Sequence, residues 1–303
     1  QGGFVMESKS AILNGLGNSP EIARWHLLPL GDVEDMIRAL TSFMTTEALA
    51  YPIVLKPDIG ERGSGVKVIR SPLEVRAYFE AAEEGIIAQE YIEGREYGVF
   101  YYRYPNDAEG QVLSITDKRL IAVTGDGDRT LEALILDDDR AVCMAPFFIE
   151  QFGVRVTEIP SEGEVVPLTD VGTHCRGALF LDGNHFRTES LRQAIDRVSQ
   201  AYEGFYFGRY DIRVPSESDL EAGRNLKILE LNGVTSESTN IYDPRNGLPA
   251  AYRTLFEQWR IAFEIGAQNR CRGVKPAGIC ELWALIQDSR RARRSPHHQF
   301  LSD

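Results

Sequence analysis

The sequence predicts an α+β chain built as two lobes. Three observations lead there. Short β-branched or aromatic runs cluster between residues 51 and 104 around one helical stretch. A second set of such runs, with amphipathic helices between them, fills 111 to 270. No internal repeat or low-complexity linker interrupts the 303 residues, so the lobe boundary falls in the polar stretch Pro105–Gly110.

The elements follow in order. In 33–50, Met36, Ile37, Leu40, Phe43 and Met44 recur at helical spacing. "YPIVLKP" (51–57), "GVKVIR" (65–70), "GIIAQEYI" (85–92) and "EYGVFYYRY" (96–104) read as strands, and "SPLEVRAYFEAAEE" (71–84) as a helix opened by Ser and Pro. Residues 1–50 are thus a helical remnant or a linker to an upstream domain, and 51–105 the small lobe. The large lobe, 106–270, begins with "QVLSITDKRLIAV" and the turn "GDGD", followed by a helix from "RTLEALI", a helical stretch near 137–152, and short runs at "TEIP", "VVPL" and "GALFLDG". A Thr-capped helix (188–204), two acid-bearing strands and a helix at 248–270 complete it. In that last helix Tyr252, Leu255, Phe256, Trp259 and Phe263 share a face, which reads as core rather than as a cofactor box. Residues 271–303 form a helix and a basic tail.

With 43% hydrophobic and 26% charged residues the chain is globular. Its net charge of −12 argues against a nucleic-acid surface, which needs a basic face. The one basic run, "DSRRARRSPHH", reads as a solvated tail. No apolar run approaches the ~18–20 residues of a membrane span, and no signal peptide is visible. The first residue is Gln1, so this is expected to be a piece of a longer protein. Cys143, Cys175, Cys271 and Cys280 have no metal-ligand spacing and suggest free thiols in a reducing, cytoplasmic setting. Nothing in the spacing of His174, Cys175 and His185 recommends a metal site.

Two constellations carry chemistry. "LKPDIGERGSGVKVIR" places Gly60, Gly63, Ser64 and Gly65 between two strands, just after Lys56. It is neither a Walker A loop nor G-x-G-x-x-G. A glycine hairpin tip can fold over phosphates and offer backbone N–H groups, with Lys56 adding a positive charge. Taken alone, an ordinary loose hairpin fits equally well. The second constellation is "YDIRV" (210–214) followed by "ILELNG" (228–233). Residues two apart share a strand face, so Arg209, Asp211 and Arg213 point one way, as do Glu230 and Asn232. If the two strands pair, two carboxylates and an amide oxygen meet on one surface. That set suits Mg²⁺, which takes its remaining ligands from phosphates and water. The competing reading is an Arg–Asp–Glu surface network, against which stands Gly233, suited to close approach by a ligand.

A glycine hairpin with its preceding lysine, an acid-rich hinge and D…E-x-N, in that order from about Tyr51 to Tyr242, resemble the ATP-grasp superfamily. The resemblance implies an ATP-grasp fold with ATP and Mg²⁺ bound between the lobes. It implies that Gln89, Glu90, Tyr91 and Ile92 meet the adenine edge and Glu96 the ribose hydroxyls. Lys56 and the hairpin would hold the phosphates, Asp211, Glu230 and Asn232 the magnesium, and Arg209 would face the transferred phosphoryl group. "ITDKRLIAVTGDGDRTLEALI" is similar to cyanophycin synthetase and the glutathione-forming ligases, which sets Lys118, and behind it Arg119, at the γ-phosphate. "GVTSESTNIYDP" lies where D-alanine–D-alanine ligase holds its substrate, pointing to Ser236, Ser238 and Thr239. Such ligases usually carry an N-terminal α/β domain, and only about fifty residues precede Tyr51, so an upstream domain is expected.

The activity implied is ATP-dependent joining of a small-molecule carboxylate to an amine, leaving the acid, the amine and the oligomeric state open. A kinase on the same scaffold and a non-catalytic nucleotide sensor are the alternatives. The sensor gives no reason to keep Lys118 beside the full D…E-x-N set. Asp211→Asn and Glu230→Gln are expected to abolish turnover with the fold intact.

Overall fold

The computed structural model describes residues 7–60, 63–170, 172 and 177–293. The chain opens with the short helix α1 (Lys9–Gly15), capped by Ser8, whose hydroxyl accepts from the Ala11 N–H. Strand β1 (Trp25–Leu28) leads to α2 (Val33–Thr46). Asp32 caps α2 through the N–H groups of Glu34 and Asp35, and Met36, Leu40 and Phe43 turn its apolar stripe inward. Then come β2 (Ile53–Pro57), β3 (Lys67–Ile69), α3 (Pro72–Glu80) and β4 (Ile86–Glu90). These strands form an antiparallel sheet in the order β1-β4-β2-β3. Residues before Tyr51 therefore build part of this lobe, since β1 pairs with β4 (Trp25↔Gln89 through Leu28↔Ile86) and α2 packs Leu40 and Phe43 into its core.

The remaining strands are β5 (Arg95–Tyr102), β6 (Gln111–Arg119), β7 (Ala122–Thr124), β8 (Val165–Pro167), β9 (Leu179–Asp182), β10 (Phe207–Val214) and β11 (Lys227–Asn232). An antiparallel five-stranded sheet runs β11-β10-β5-β6-β9, and β7 and β8 form a separate pair. The passage between the two large sheets thus falls at 91–94, before β5, and not near Pro105–Gly110. Alternation identifies β5 as a strand but says nothing about its partners, which are β10 and β6. Gly94 makes the passage at φ 117°, where a Cβ would collide with the Val214 carbonyl oxygen. Gly94→Ala is expected to destabilise the chain by on the order of 3 kcal/mol. Urea unfolding measures it, and an unchanged midpoint would contradict this description of the turn.

Helices α4 (Leu131–Asp137) and α5 (Ala145–Phe152) cover β7–β8 with their own small core of Leu134, Ile135 and Phe148. Helix α6 (Glu189–Ala201), capped by Thr188, packs Leu191, Ile195 and Val198 on one face of the five-stranded sheet, against Tyr97, Val99, Tyr210 and Ile212. A short helix α7 (Glu217–Glu221) connects β10 to β11. Helix α8 (Leu248–Cys271) crosses one end of the other face, where Ile261 and Ile265 meet Phe100 and Phe207. The aromatic stripe read as core is not core: Tyr252, Phe256, Trp259 and Phe263 are 55–75% exposed. Helical periodicity defines a stripe but not which side faces the sheet, and here the opposite stripe of Gln258, Ile261 and Ile265 is buried. Helix α9 (Ile279–Arg293) follows. No helix among the described residues is long and apolar enough to cross a membrane. Cys143, Cys271 and Cys280 are free and exposed, and His174 and Cys175 lie outside the described residues.

Candidate functional site

The antiparallel register sorts the five-stranded sheet into two chemically distinct faces. Asp211 sits directly opposite Glu230, and Arg209 opposite Asn232, so all four share a face. Across β5 and β6 the same face continues through Arg213↔Glu96 and Asp211↔Gly98, then Glu96↔Lys118 and Gly98↔Thr116. Its reverse carries Tyr97, Val99, Tyr210, Ile212 and Leu231, the main core. The hairpin expected from the two acid strands is present, with Asp211 and Glu230 on one surface.

The charges on this face are buried and interlocked. Lys118 Nζ lies 3.0 Å from Glu96 Oε1 and 3.0 Å from Asp211 Oδ2. Arg209 Nε donates to Asp211 Oδ1 at 3.1 Å. Arg213 donates from Nε and Nη2 to Glu96 Oε2 at 3.2 and 3.0 Å. Burial pushes the Asp211 carboxyl up, but Arg209 and Lys118 outweigh it and hold the group below the usual carboxylate range. Burial likewise opposes the Lys118 ammonium, and Asp211 and Glu96 more than restore it. A buried network of this kind is weak as a stabilising device, because desolvation consumes most of the attraction. A requirement for fixed charge accounts for it better than packing does.

The second sheet contributes one further charge. Lys56 from β2 reaches across to the five-stranded sheet, donating to Leu229 O at 3.0 Å and to Gln89 Oε1 at 2.9 Å. Burial brings its ammonium down to about 8, with Lys9 adding to the effect and Glu230 opposing it. A second tie joins the lobes at the rim, where Arg70 Nη2 lies 2.7 Å from both carboxylate oxygens of Asp170. The glycine hairpin is confirmed as β2 and β3 paired through Ile53↔Ile69 and Leu55↔Lys67. Gly65 at φ 69° packs where a Cβ would strike the Pro57 ring, and Gly60, Gly63 and Ser64 lie with it at the tip. Glu61 and Arg62 fall outside the described residues.

Sequence reasoning missed two residues here. Lys9, buried at the start of α1, donates to Gly60 O at 2.8 Å and Asp58 O at 3.4 Å, setting a second ammonium at the base of the hairpin. Glu7 accepts from the Gly233 N–H at 3.4 Å. Burial raises its carboxyl, and Glu230 adds to that. No local signal marks either residue, since their partners lie about fifty and over two hundred positions away.

Several expected contacts have protein partners instead. Glu96, assigned to ribose hydroxyls, gives both oxygens to Lys118 and Arg213, and Gly172 lies so close that its Cβ would come within 2.5 Å of Oε1. Glu90 accepts from Arg24, with Nη2 at 2.6 Å and Nε at 3.0 Å. Ile92 O accepts from Arg213 Nη1 at 2.8 Å, and that guanidinium sits 5.5 Å from the Tyr91 ring centroid. Gln89 faces Lys56. Arg119 points to the opposite side of β6 from Lys118 and pairs with Asp117 at 2.7 Å, so it is not beside the cationic cluster. The loop 233–243 folds onto the polar face. Thr239 Oγ1 lies 2.9 Å from Thr116 Oγ1, Ser236 donates to Gly233 O at 2.6 Å, and Ser238 is 1% exposed. Gln258 of α8 holds the middle of this loop, accepting from Ser238 N at 2.8 Å and donating to Ser236 O at 3.0 Å.

Among the described residues, no group of three or more His, Cys, Asp or Glu converges as a metal-ligand set. The chemistry of Asp211, Glu230 and the Asn232 amide nevertheless fits Mg²⁺. No described residue donates a hydrogen bond to the Glu230 carboxylate, and phosphates and water ordinarily complete such a set.

No family model matches the chain, and no curated protein matches it in sequence. Solved structures do. One is D-alanine–D-alanine ligase from Bacillus anthracis complexed with ATP, at 14% identity over 89% of this chain and 69% of that one, TM-score 0.48. Another is the bifunctional glutathione synthetase from Pasteurella multocida, at 16% identity over 83% of this chain and 35% of that one, TM-score 0.40. A third is an L-amino acid ligase from Bacillus licheniformis, at 16% identity over 84% and 47%, TM-score 0.43. The chain spans about a third of the length of the glutathione synthetase.

Proposed function

We propose that the chain is an ATP-grasp carboxylate–amine ligase. The observation that carries this reading is the polar sheet face, where Asp211 and Glu230 stand opposite each other with Lys118 and Arg209 beside them and Lys56 arriving from the other sheet. In the proposed reaction a carboxylate oxygen of the acid attacks the γ-phosphorus and ADP leaves. An amine then attacks the acyl carbon, the amide forms, and phosphate departs carrying that oxygen, with a proton released from the amine. Carboxylate and triphosphate repel, so fixed positive charge must hold them together. Lys56 and Lys9 flank the base of the glycine hairpin, while Lys118 and Arg209 are already oriented by Asp211. When bound between Asp211, Glu230 and Asn232, Mg²⁺ supplies charge neutralisation on the phosphate oxygens. Opening of Glu96 from Lys118 and Arg213 would accompany nucleotide entry. Ser236, Ser238 and Thr239 are the proposed edge of the acceptor subsite.

Transfer of oxygen tests this reading. With amino acids labelled by ¹⁸O in the carboxylate, the phosphate released from Mg-ATP is expected to carry one labelled oxygen. Unlabelled phosphate, or phosphate retained on an acceptor hydroxyl, would contradict an acyl-phosphate route.

A further inference from the structure

The exposed side of α8 has an order that the nucleotide site does not use. Tyr252, Phe256, Trp259 and Phe263 follow one another at spacings of four, three and four, at 59, 75, 55 and 71% exposure. Along one flank of that stripe run Arg253, Glu257, Arg260 and Glu264, at the same four-three-four spacing. Three of these are exposed, and Glu264 is half-exposed, accepting from Tyr104 OH at 2.6 Å with Arg260 3.9 Å away. Both series read the same backwards in spacing, and the charged series reverses sign when read backwards.

We propose that α8 is a dimerisation helix whose occupant is a second copy of this chain, laid antiparallel across the stripe. In that arrangement Tyr252 meets Phe263 of the second copy and Phe256 meets its Trp259. The flanking charges then fall Arg253 against Glu264 and Glu257 against Arg260, twice each by the two-fold axis. A parallel two-fold arrangement would carry this charged flank of the second copy to the opposite side of the interface, facing Leu255 and Gln258 rather than the complementary charges, so none of these pairs would form. The charge pattern therefore selects both the partner and its direction. Eight aromatic side chains, each offering roughly 150–250 Å² when whole, bury on the order of 1,000 Å² at their observed exposure. That area is near the lower bound of specific interfaces, so the dimer is a reversible one.

Sedimentation equilibrium of the chain from about 1 to 200 μM tests the proposal, with circular dichroism and urea unfolding confirming that each variant is folded. A concentration-dependent monomer–dimer equilibrium is expected, lost in Phe256→Asp. Glu257→Arg and Arg260→Glu alone set like charges face to face and are each expected to weaken the dimer by about tenfold or more. The double variant Glu257→Arg/Arg260→Glu swaps the pairs and is expected to recover the original association. A monomer at every concentration would overturn the proposal and point instead to cover by α9, which exposes Ile279 and Trp283. A dimer indifferent to Phe256→Asp, or a double variant no better than the singles, would overturn it as well.

Discussion

Glu230→Gln is expected to lower Mg-ATP-dependent phosphate release by about 10²-fold or more while leaving the unfolding midpoint unchanged. No described residue donates a hydrogen bond to the Glu230 side chain, and its attraction for Lys56 and Arg209 is offset by its repulsion of Glu7, so neutralising it is expected to change the fold's stability little. Its removal even relieves Glu7, whose raised carboxyl it helps to raise. Asp211→Asn differs. Asp211 is the anion against which Lys118 and Arg209 are both set, at 3.0 and 3.1 Å. Deleting one member of a buried, interlocked set typically costs about 3–5 kcal/mol. Asp211→Asn is therefore expected to lose activity and stability together, which departs from the sequence-based expectation that both substitutions spare the fold. Phosphate release beside urea unfolding separates the two cases. Full activity in Glu230→Gln would remove it from the magnesium set.

The second large effect concerns Lys56. Burial brings its ammonium from 10.5 to about 8 in the folded chain, a penalty of about 3 kcal/mol on the charged form at neutral pH. Between about 8 and 10.5 the unfolded chain holds a proton that the folded chain has released, so Lys56 makes stability rise with pH across that window. Lys56→Met removes the buried charge and leaves Leu229 O with the Gln89 amide at 3.1 Å. It is expected to stabilise the chain by on the order of 1 kcal/mol, after the lost hydrogen bonds are counted, and to flatten stability over that pH range. The same substitution is expected to weaken ATP by roughly 10- to 100-fold, the loss of a charge-assisted contact. ATP affinity in the unaltered chain should fall as pH rises through about 8, where Lys56 loses its proton, and Lys56→Arg should abolish that dependence. Titration calorimetry at pH 7 and pH 9 reads both. A Lys56→Met variant less stable than the parent, binding ATP as tightly, would show that the lysine serves packing alone.

These two effects rest on residues whose roles were legible to different degrees. That Asp211 and Glu230 share one surface was expected from two-residue alternation and a polar connection between two strands, and the register adds that they stand opposite each other. The glycine hairpin was legible for the same reason. What alternation cannot supply is pairing between distant strands. Nothing near Glu96 in the chain indicates that β5 joins β10, and hence that Glu96 is held by Arg213, 117 residues on. Lys9 was hidden similarly, as its contact with Gly60 depends on α1 folding back over the hairpin. The aromatic stripe of α8 failed for another reason. Amphipathic spacing was read as core because aromatic side chains are usually buried, whereas the contact with Phe100 and Phe207 is made by two isoleucines on the opposite side.

The most direct measurement is ADP and phosphate release from Mg-ATP by the chain, with amino acids and small peptides supplied singly and in pairs. The account predicts release that requires both a carboxylate and an amine and that disappears in Glu230→Gln. Tight ATP binding with no release under any pairing would contradict the ligase and leave a nucleotide-binding module in its place.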